Sequence, residues 1–145
     1  MRLSTKGEYG LLAIIDLALN SNNGPVKTME ISERQGIPQQ YLNQLLLILK
    51  KAGLISSFRG RQGGYRLNQN ARSISLLDVV IALEGPIENI NFLGQNDSTA
   101  NSTEHVLRNL WCQLLSDAEK LLKTTTLEEV CERRKELDKE IMYYI

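Results

Sequence analysis

The chain has 145 residues, 42% of them hydrophobic, with 17 Lys/Arg balanced by 17 Asp/Glu. That length suits one domain, or one domain with an appended helical arm. No apolar run approaches ~18 residues, so no membrane span is expected. The amino terminus has Arg2 and Lys6 but no apolar signal core, which points to a cytoplasmic protein. Cys112 and Cys131 make neither a disulfide framework nor a clustered metal motif. The expectation is two free thiols in a reducing compartment. The zero net charge conceals a division. Residues 1–72 carry ten Lys/Arg against four Asp/Glu, a net +6, and residues 73–145 carry a net −6. A basic head on an acidic body is the footprint of a nucleic-acid binder.

Thr5-x-x-Glu8 reads as a capping box, so the first helix is predicted to start near Lys6. It runs through Tyr9, Leu11, Leu12, Ile14, Ile15, Ala18 and Leu19, apolar on most sides, and Asn20-Ser-Asn-Asn-Gly-Pro25 ends it. Arg2 and Lys6 at its start fit phosphate contact or plain solvation equally. Thr28 is the expected N-cap of a short second helix. Residues 31–54 then read as helix, tight turn, helix. Ile31, Ile37, Leu42, Leu45, Leu46 and Leu49 repeat at helical spacing. Gly36 falls where the left-handed conformation is needed. Pro38 falls where a missing N–H costs nothing. The outer front carries Gln39, Gln40, Asn43 and Gln44, with Tyr41 among them. Amides are suited to base edges in a major groove, and they are equally at home on a solvated face. Lys50 and Lys51 complement the negative end of the helix.

Leu54-Ile-Ser-Ser-Phe58 and Tyr65-Arg-Leu67 are two extended runs around Arg59-Gly-Arg-Gln-Gly-Gly64, a basic hairpin. Glycines allow close approach to a phosphate, and loop-tip arginines neutralise phosphates or enter a minor groove. No Gly-Lys-Ser/Thr ending and no helix follow, so a nucleotide-binding loop is a poor fit. Helix–turn–helix plus basic hairpin defines a winged helix. Ser75-x-x-Asp78 caps a helix from Leu76 to about Leu83, stopped by Gly85-Pro86. Residues 86–102, rich in Asn, Ser and Thr, form a long loop of the kind that is functional or disordered. A long helix follows, about Thr103 to Lys123. Leu107, Trp111, Leu114, Ala118 and Leu121 make a heptad seam, and Val106, Leu110, Leu115 and Leu122 widen it. Such a stripe calls for a partner helix from a second chain, or for folding back on its own domain. Thr126-x-x-Glu129 caps the last helix, with Val130, Leu137 and Ile141 as its apolar positions and a charged outer face.

Residues 1 to about 85 resemble the Rrf-type (IscR-like) family of bacterial winged-helix transcription regulators. The residues that carry the resemblance are Met1 to Gly10, Ile31-Ser-Glu-Arg-Gln-Gly-Ile37, Tyr41-Leu42, Gly53-Leu54 and Arg59-Gly60…Gly63-Gly64-Tyr65, and it extends into the helix around Leu110-Trp111. It implies a mainly α fold, a winged helix–turn–helix with a small β-hairpin wing and a long C-terminal dimerisation helix. It also implies a homodimer that binds double-stranded DNA and represses or activates promoters, and two-fold symmetry would then make the operator an imperfect palindrome. In iron–sulfur members, three cysteines in the loop hold a cluster; here the loop has none, so no cofactor is expected. His105 and Cys112 stand ~10 Å apart along their helix and cannot share one metal ion within a chain. An iron–sulfur cluster or metal would need ligands from two chains, or loop carboxylates and amides. Cluster-binding relatives carry serine and glutamate where this chain has Gln40 and Asn43, so their site preference does not transfer.

The expected organisation is a DNA-binding domain over residues 1–85, an effector loop over 86–102 and dimerisation helices over 103–145. Lys6, Thr28, Pro38, Gln39, Gln40, Tyr41, Asn43, Gln44, Arg59, Arg61, Gly63, Gly64, Tyr65 and Arg66 are the candidate DNA contacts. Leu107, Leu110, Trp111, Leu114, Leu115, Ala118 and Leu121 are the candidate dimer contacts. Repression is the simpler mode of action, with a small molecule or partner protein as effector. A winged helix used for protein contacts is the alternative. One His and no nucleophile–base pair argue against an enzyme.

Overall fold

The computed structural model describes residues 3–87 and 101–145. Within them run α1 (Thr5–Leu19), α2 (Thr28–Gln35), α3 (Gln39–Lys51), β1 (Ile55–Phe58), β2 (Gly64–Leu67), α4 (Leu76–Glu84), α5 (Ser102–Thr124) and α6 (Leu127–Tyr143). The expected loop over 86–102 lies almost wholly outside the described residues.

Two predicted caps move by one residue. Ser4, not Thr5, caps α1: Ser4 stays extended, and its Oγ accepts from Gly7 N–H at 3.2 Å. Thr5 is already helical, so it cannot turn its hydroxyl back onto the first turn. Lys27, not Thr28, is the N-cap position of α2, and the Glu30 carboxylate accepts the Lys27 N–H at 3.0 Å. The Ser75–Asp78 box forms as predicted, with bonds of 2.9 and 3.1 Å in the two directions. Thr126 caps α6 by accepting from Glu129 N–H.

The core is built on α1. Ala13, Ile14 and Leu17 meet Ile31, Ile37, Leu42, Leu45, Leu46 and Leu49 from the helix–turn–helix, with Ile55, Ile74, Val79, Leu83 and Leu127 closing the cluster. At Gly10 a Cβ would lie 2.4 Å from Leu83 Cδ1, so only glycine lets α4 pack this closely on α1. β1 and β2 pair antiparallel, with Ser56 opposite Arg66 and Ser57 opposite Tyr65. Val26 adds a bridge to Tyr65 through bonds of 2.9 and 2.8 Å, which ties the entry of α2 to the hairpin.

α6 begins inside the head. Leu127 is fully buried and Cys131 nearly so, whereas the predicted apolar positions Leu137 and Ile141 are exposed. The buried residues of α6 are in its first turns, and the apolar residues further along meet no core among the described residues. α5 contacts α4, and none of its residues is buried. Its apolar stripe divides lengthwise. Glu104, Arg108, Trp111, Leu115, Ala118 and Leu122 are half-buried at spacings of four and three, which is one helical face. Leu107, Leu110, Leu114 and Leu121 beside them are exposed. The predicted heptad seam therefore straddles the boundary: Trp111 and Ala118 lie on the covered side, and Leu107, Leu114 and Leu121 on the open one.

Candidate nucleic-acid interface

Asp16 sits in the last turn of α1 at 1% exposure, between Ile15 and Leu17. Arg34 of α2 grips it in two-pronged fashion, Nε to Oδ2 at 2.9 Å and Nη2 to Oδ1 at 2.8 Å, and Gln35 Nε2 adds 2.9 Å to Oδ2. A buried carboxylate needs such partners. Its hydrogen bonding holds the Arg34 guanidinium above its usual pKa, firmly charged. This clasp fixes α2 on α1. The turn after α2 is set by Gly36, with φ 65°, and by Ser32 Oγ donating to Ile37 O at 2.6 Å. α3 is thereby presented at a fixed angle, starting after Pro38.

On α3, Gln39, Gln40, Asn43 and Gln44 are exposed, as predicted, while Leu42, Leu45, Leu46 and Leu49 are 0% exposed. Tyr41 is half-buried, its ring edge-on to Tyr9 with centroids 6.0 Å apart, so part of it belongs to the packing against α1. Lys50 Nζ donates to Ser57 Oγ at 2.7 Å, which fastens the end of α3 to β1.

Arg59 and Arg61 stand exposed at the hairpin tip. Gly63 N–H donates to Gly60 O at 3.0 Å to close the turn. A Cβ at Gly63 would lie 2.4 Å from Phe58 O, and one at Gly64, whose φ is 147°, would lie 2.4 Å from Val26 O. Both glycines are thus demanded by close backbone packing. Tyr65 is half-buried and shares the hairpin face of Ser57, toward α3. Arg66 is exposed on the opposite face with Ser56 and Phe58, lining an open cleft of about 630 Å³ that α6 borders through Glu132 and Lys135. Lys6 is exposed in the first turn of α1, and Thr28 is half-buried in the first turn of α2. Sequence reasoning did not find the Asp16–Arg34–Gln35 clasp. The available signal was an acid in the last turn of an apolar helix, flanked by Ile15 and Leu17.

This is the geometry of a winged helix–turn–helix DNA-binding regulator. The chain belongs to the Rrf2 family, described as iron-dependent transcriptional regulators, whose model matches residues 3–133. It is 40% identical over 130 residues to the HTH-type transcriptional regulator IscR of Vibrio campbellii, covering 90% of this chain and 77% of that one. Among solved structures, CymR, the global cysteine regulator of B. subtilis, superposes with a TM-score of 0.81 at 33% identity, covering 92% of this chain and 98% of that one. IscR of T. potens superposes at 0.77 and 36% identity, covering 94% and 90%. The family and the curated relative are described as transcriptional regulators.

The family description raises the question of iron. The whole chain has two cysteines. Cys112 is exposed on α5, and Cys131 is buried at the start of α6. No group of three His, Cys, Asp or Glu that could hold a metal ion occurs among the described residues. The His105 ring lies 3.3 Å from Asn109 Nδ2 on α5. This donor set does not fit a cysteine-ligated cluster within one chain. Burial raises the pKa of the Cys131 thiol, opposed more weakly by Lys135 and Arg134, which disfavours the thiolate a metal requires. Among the described residues no helix is long and apolar enough to cross a membrane.

Proposed function

We propose that this chain is a homodimeric repressor that binds an imperfect palindromic operator, with residues 1–85 as DNA-binding head, 86–102 as effector loop and 103–145 as dimer-forming arm. The observation that carries the reading is the outward row of Gln40, Asn43 and Gln44 on α3 beside the exposed Arg59 and Arg61. Gln39, Gln40, Asn43 and Gln44 read base edges in the major groove. Arg59 enters the flanking minor groove and Arg61 neutralises phosphate. Lys6, the α2 start at Thr28, Tyr41 and Arg66 contribute at the periphery. The open leucine row of α5 supplies the dimer contact, which sets the spacing of two α3 helices by two-fold symmetry. Repression follows from occupancy of a promoter, relieved by a small molecule or partner protein acting at the effector loop.

The test is a mobility-shift titration against the DNA upstream of the protein's own gene, with oligomeric state measured by light scattering. A dimer that binds one palindromic site, and a Leu110→Glu/Leu114→Glu variant that is monomeric and binds far more weakly, are the expected results. A dimer with no preference for any duplex would favour a winged helix used for protein contacts instead.

A further inference from the structure

The inward stripe of α3 is complete without Leu47, since Leu42, Leu45, Leu46 and Leu49 are each 0% exposed. Leu47 itself is 49% exposed. It follows Gln40 by seven residues, and a heptad returns to within about 20° of the same direction around a helix axis. Asn43 and Gln44 lie on either side of that line. A branched apolar side chain therefore continues the amide row at its C-terminal end, on the outward face, and not at the margin of the core where a half-exposed leucine is usual. Beyond it the polar surface resumes with the exposed Lys50 and Lys51.

We propose that Leu47 reads a thymine methyl group in the major groove of each operator half-site, an inference that rests on the DNA-binding reading above. Thymine is the base that places an apolar group, its C5 methyl, in that groove, and an apolar side chain is what meets it. The leucine offers no donor or acceptor, so any other base edge set against it loses water without gaining a hydrogen bond. The neighbouring amides have the complementary chemistry: Gln40 can hold an adenine by its N6 and N7. Leu47 stands ~10 Å further along the helix than Gln40. At about 3.4 Å per base step along a strand, the methyl lies roughly three base pairs from the base that Gln40 reads. The free protein loses little by exposing one leucine, and burial of its tip is realised only against the duplex.

The experiment starts from duplexes selected out of a random pool by the full-length protein. Each thymine of the selected site is then replaced singly by deoxyuridine, which removes the methyl and nothing else. One thymine in each half-site is expected at which this replacement weakens binding about fourfold, the worth of one buried methyl-sized group. Leu47→Ala should weaken binding to the thymine duplex by about the same factor and be nearly indifferent to the uracil change, whereas Leu47→Met, which keeps an apolar tip, should retain the sensitivity. A selected site in which no thymine methyl matters, or a Leu47→Ala protein that keeps the full methyl effect, overturns the role of Leu47 alone. Failure to select any duplex overturns the DNA-binding reading and the Leu47 role with it. Thermal melts of both variants matching the parent keep a folding defect from imitating either result.

Discussion

Removing the guanidinium from the α1–α2 clasp is the sharpest test of how the reading helix is held. Arg34→Met keeps most of the aliphatic stem and deletes the charge. It leaves the Asp16 carboxylate, whose side chain is 2% exposed, with the Gln35 amide at 2.9 Å and the Asn20 amide at 3.5 Å as its donors. Breaking a buried ion pair from one side costs about 3–5 kcal/mol. Two features lower that here: the Arg34 side chain is 41% exposed, so water already shares its solvation, and Gln35 still satisfies one oxygen. The expected loss is about 2–3 kcal/mol. At about 3–4 °C per kcal/mol for a chain of this size, the melting point should fall by roughly 6–12 °C. Urea unfolding followed by far-UV circular dichroism measures the loss directly. The control is Arg133→Gln on α6, whose pair with Glu129 is solvent-exposed and should contribute under about 0.5 kcal/mol. An Arg34→Met protein as stable as that control would refute the idea that a buried clasp fixes α2 on α1.

Gly64→Ala should cost about 3 kcal/mol, because its Cβ would sit 2.4 Å from Val26 O and force apart the two Val26–Tyr65 bonds; Gly36→Ala, with φ 65° and no atom within 4 Å, should cost only about 1 kcal/mol. Denaturant titrations of the two variants settle the order, and equal losses would mean the hairpin is not packed against the α2 entry. In the folded protein at pH 8, iodoacetamide should modify the exposed Cys112 well before the buried Cys131, a difference read by mass spectrometry that disappears in denaturant. Because burial raises the Cys131 pKa, its share of stability is intact below the unfolded thiol value near about 8.5 and is lost as pH rises through the folded value; Cys131→Ala should flatten the alkaline fall in melting point. Arg59→Ala should weaken operator binding by ~1–3 kcal/mol, and parent affinity should fall steeply with salt; a flat salt response would exclude the phosphate contacts assigned to the hairpin.

The winged-helix head was legible because its signals are local. Glycine at the end of α2, proline before α3, two extended runs around a glycine-rich loop and a 3.6-residue apolar repeat each act over a few residues, and the structure places every one of them as read. The caps moved by one residue because Ser4 stood just ahead of Thr5 and because Glu30 reaches back to Lys27 N–H, and spacing alone cannot say which of two neighbours leaves the helical conformation. The Asp16–Arg34–Gln35 clasp was not legible as a unit, since its members are 18 and 19 positions apart and only the packing of α2 on α1 unites them. Arg66 was grouped with Arg59 and Arg61 by proximity in sequence. Strand alternation turns it to the face bordered by α6, a consequence of register that the count of basic residues does not contain. Leu47 was passed over because it neither completes the apolar repeat nor resembles a polar contact.

Two features of the sequence that look unrelated have one explanation in the fold. The stripe on α5 extends beyond its half-buried face, and the positive and negative charges separate at about residue 72. A helix that belonged wholly to its own domain would need no exposed leucine row at 107, 110, 114 and 121. A chain that met nucleic acid with its whole surface would have no use for a net −6 over residues 73–145. If α5 joins two copies through its open row, each copy contributes a weakly acidic arm, net −2 over residues 103–145, to the middle and a basic head, net +4 over residues 1–85, to the outside. Repulsion between the arms and a polyanion then works with attraction at Arg59 and Arg61 to leave α3 and the hairpin as the surfaces that can approach a duplex. The +4 of the head is thus offset in equal parts by residues 86–102 and by the arm, each net −2, which leaves the positive charge concentrated on the part that binds DNA.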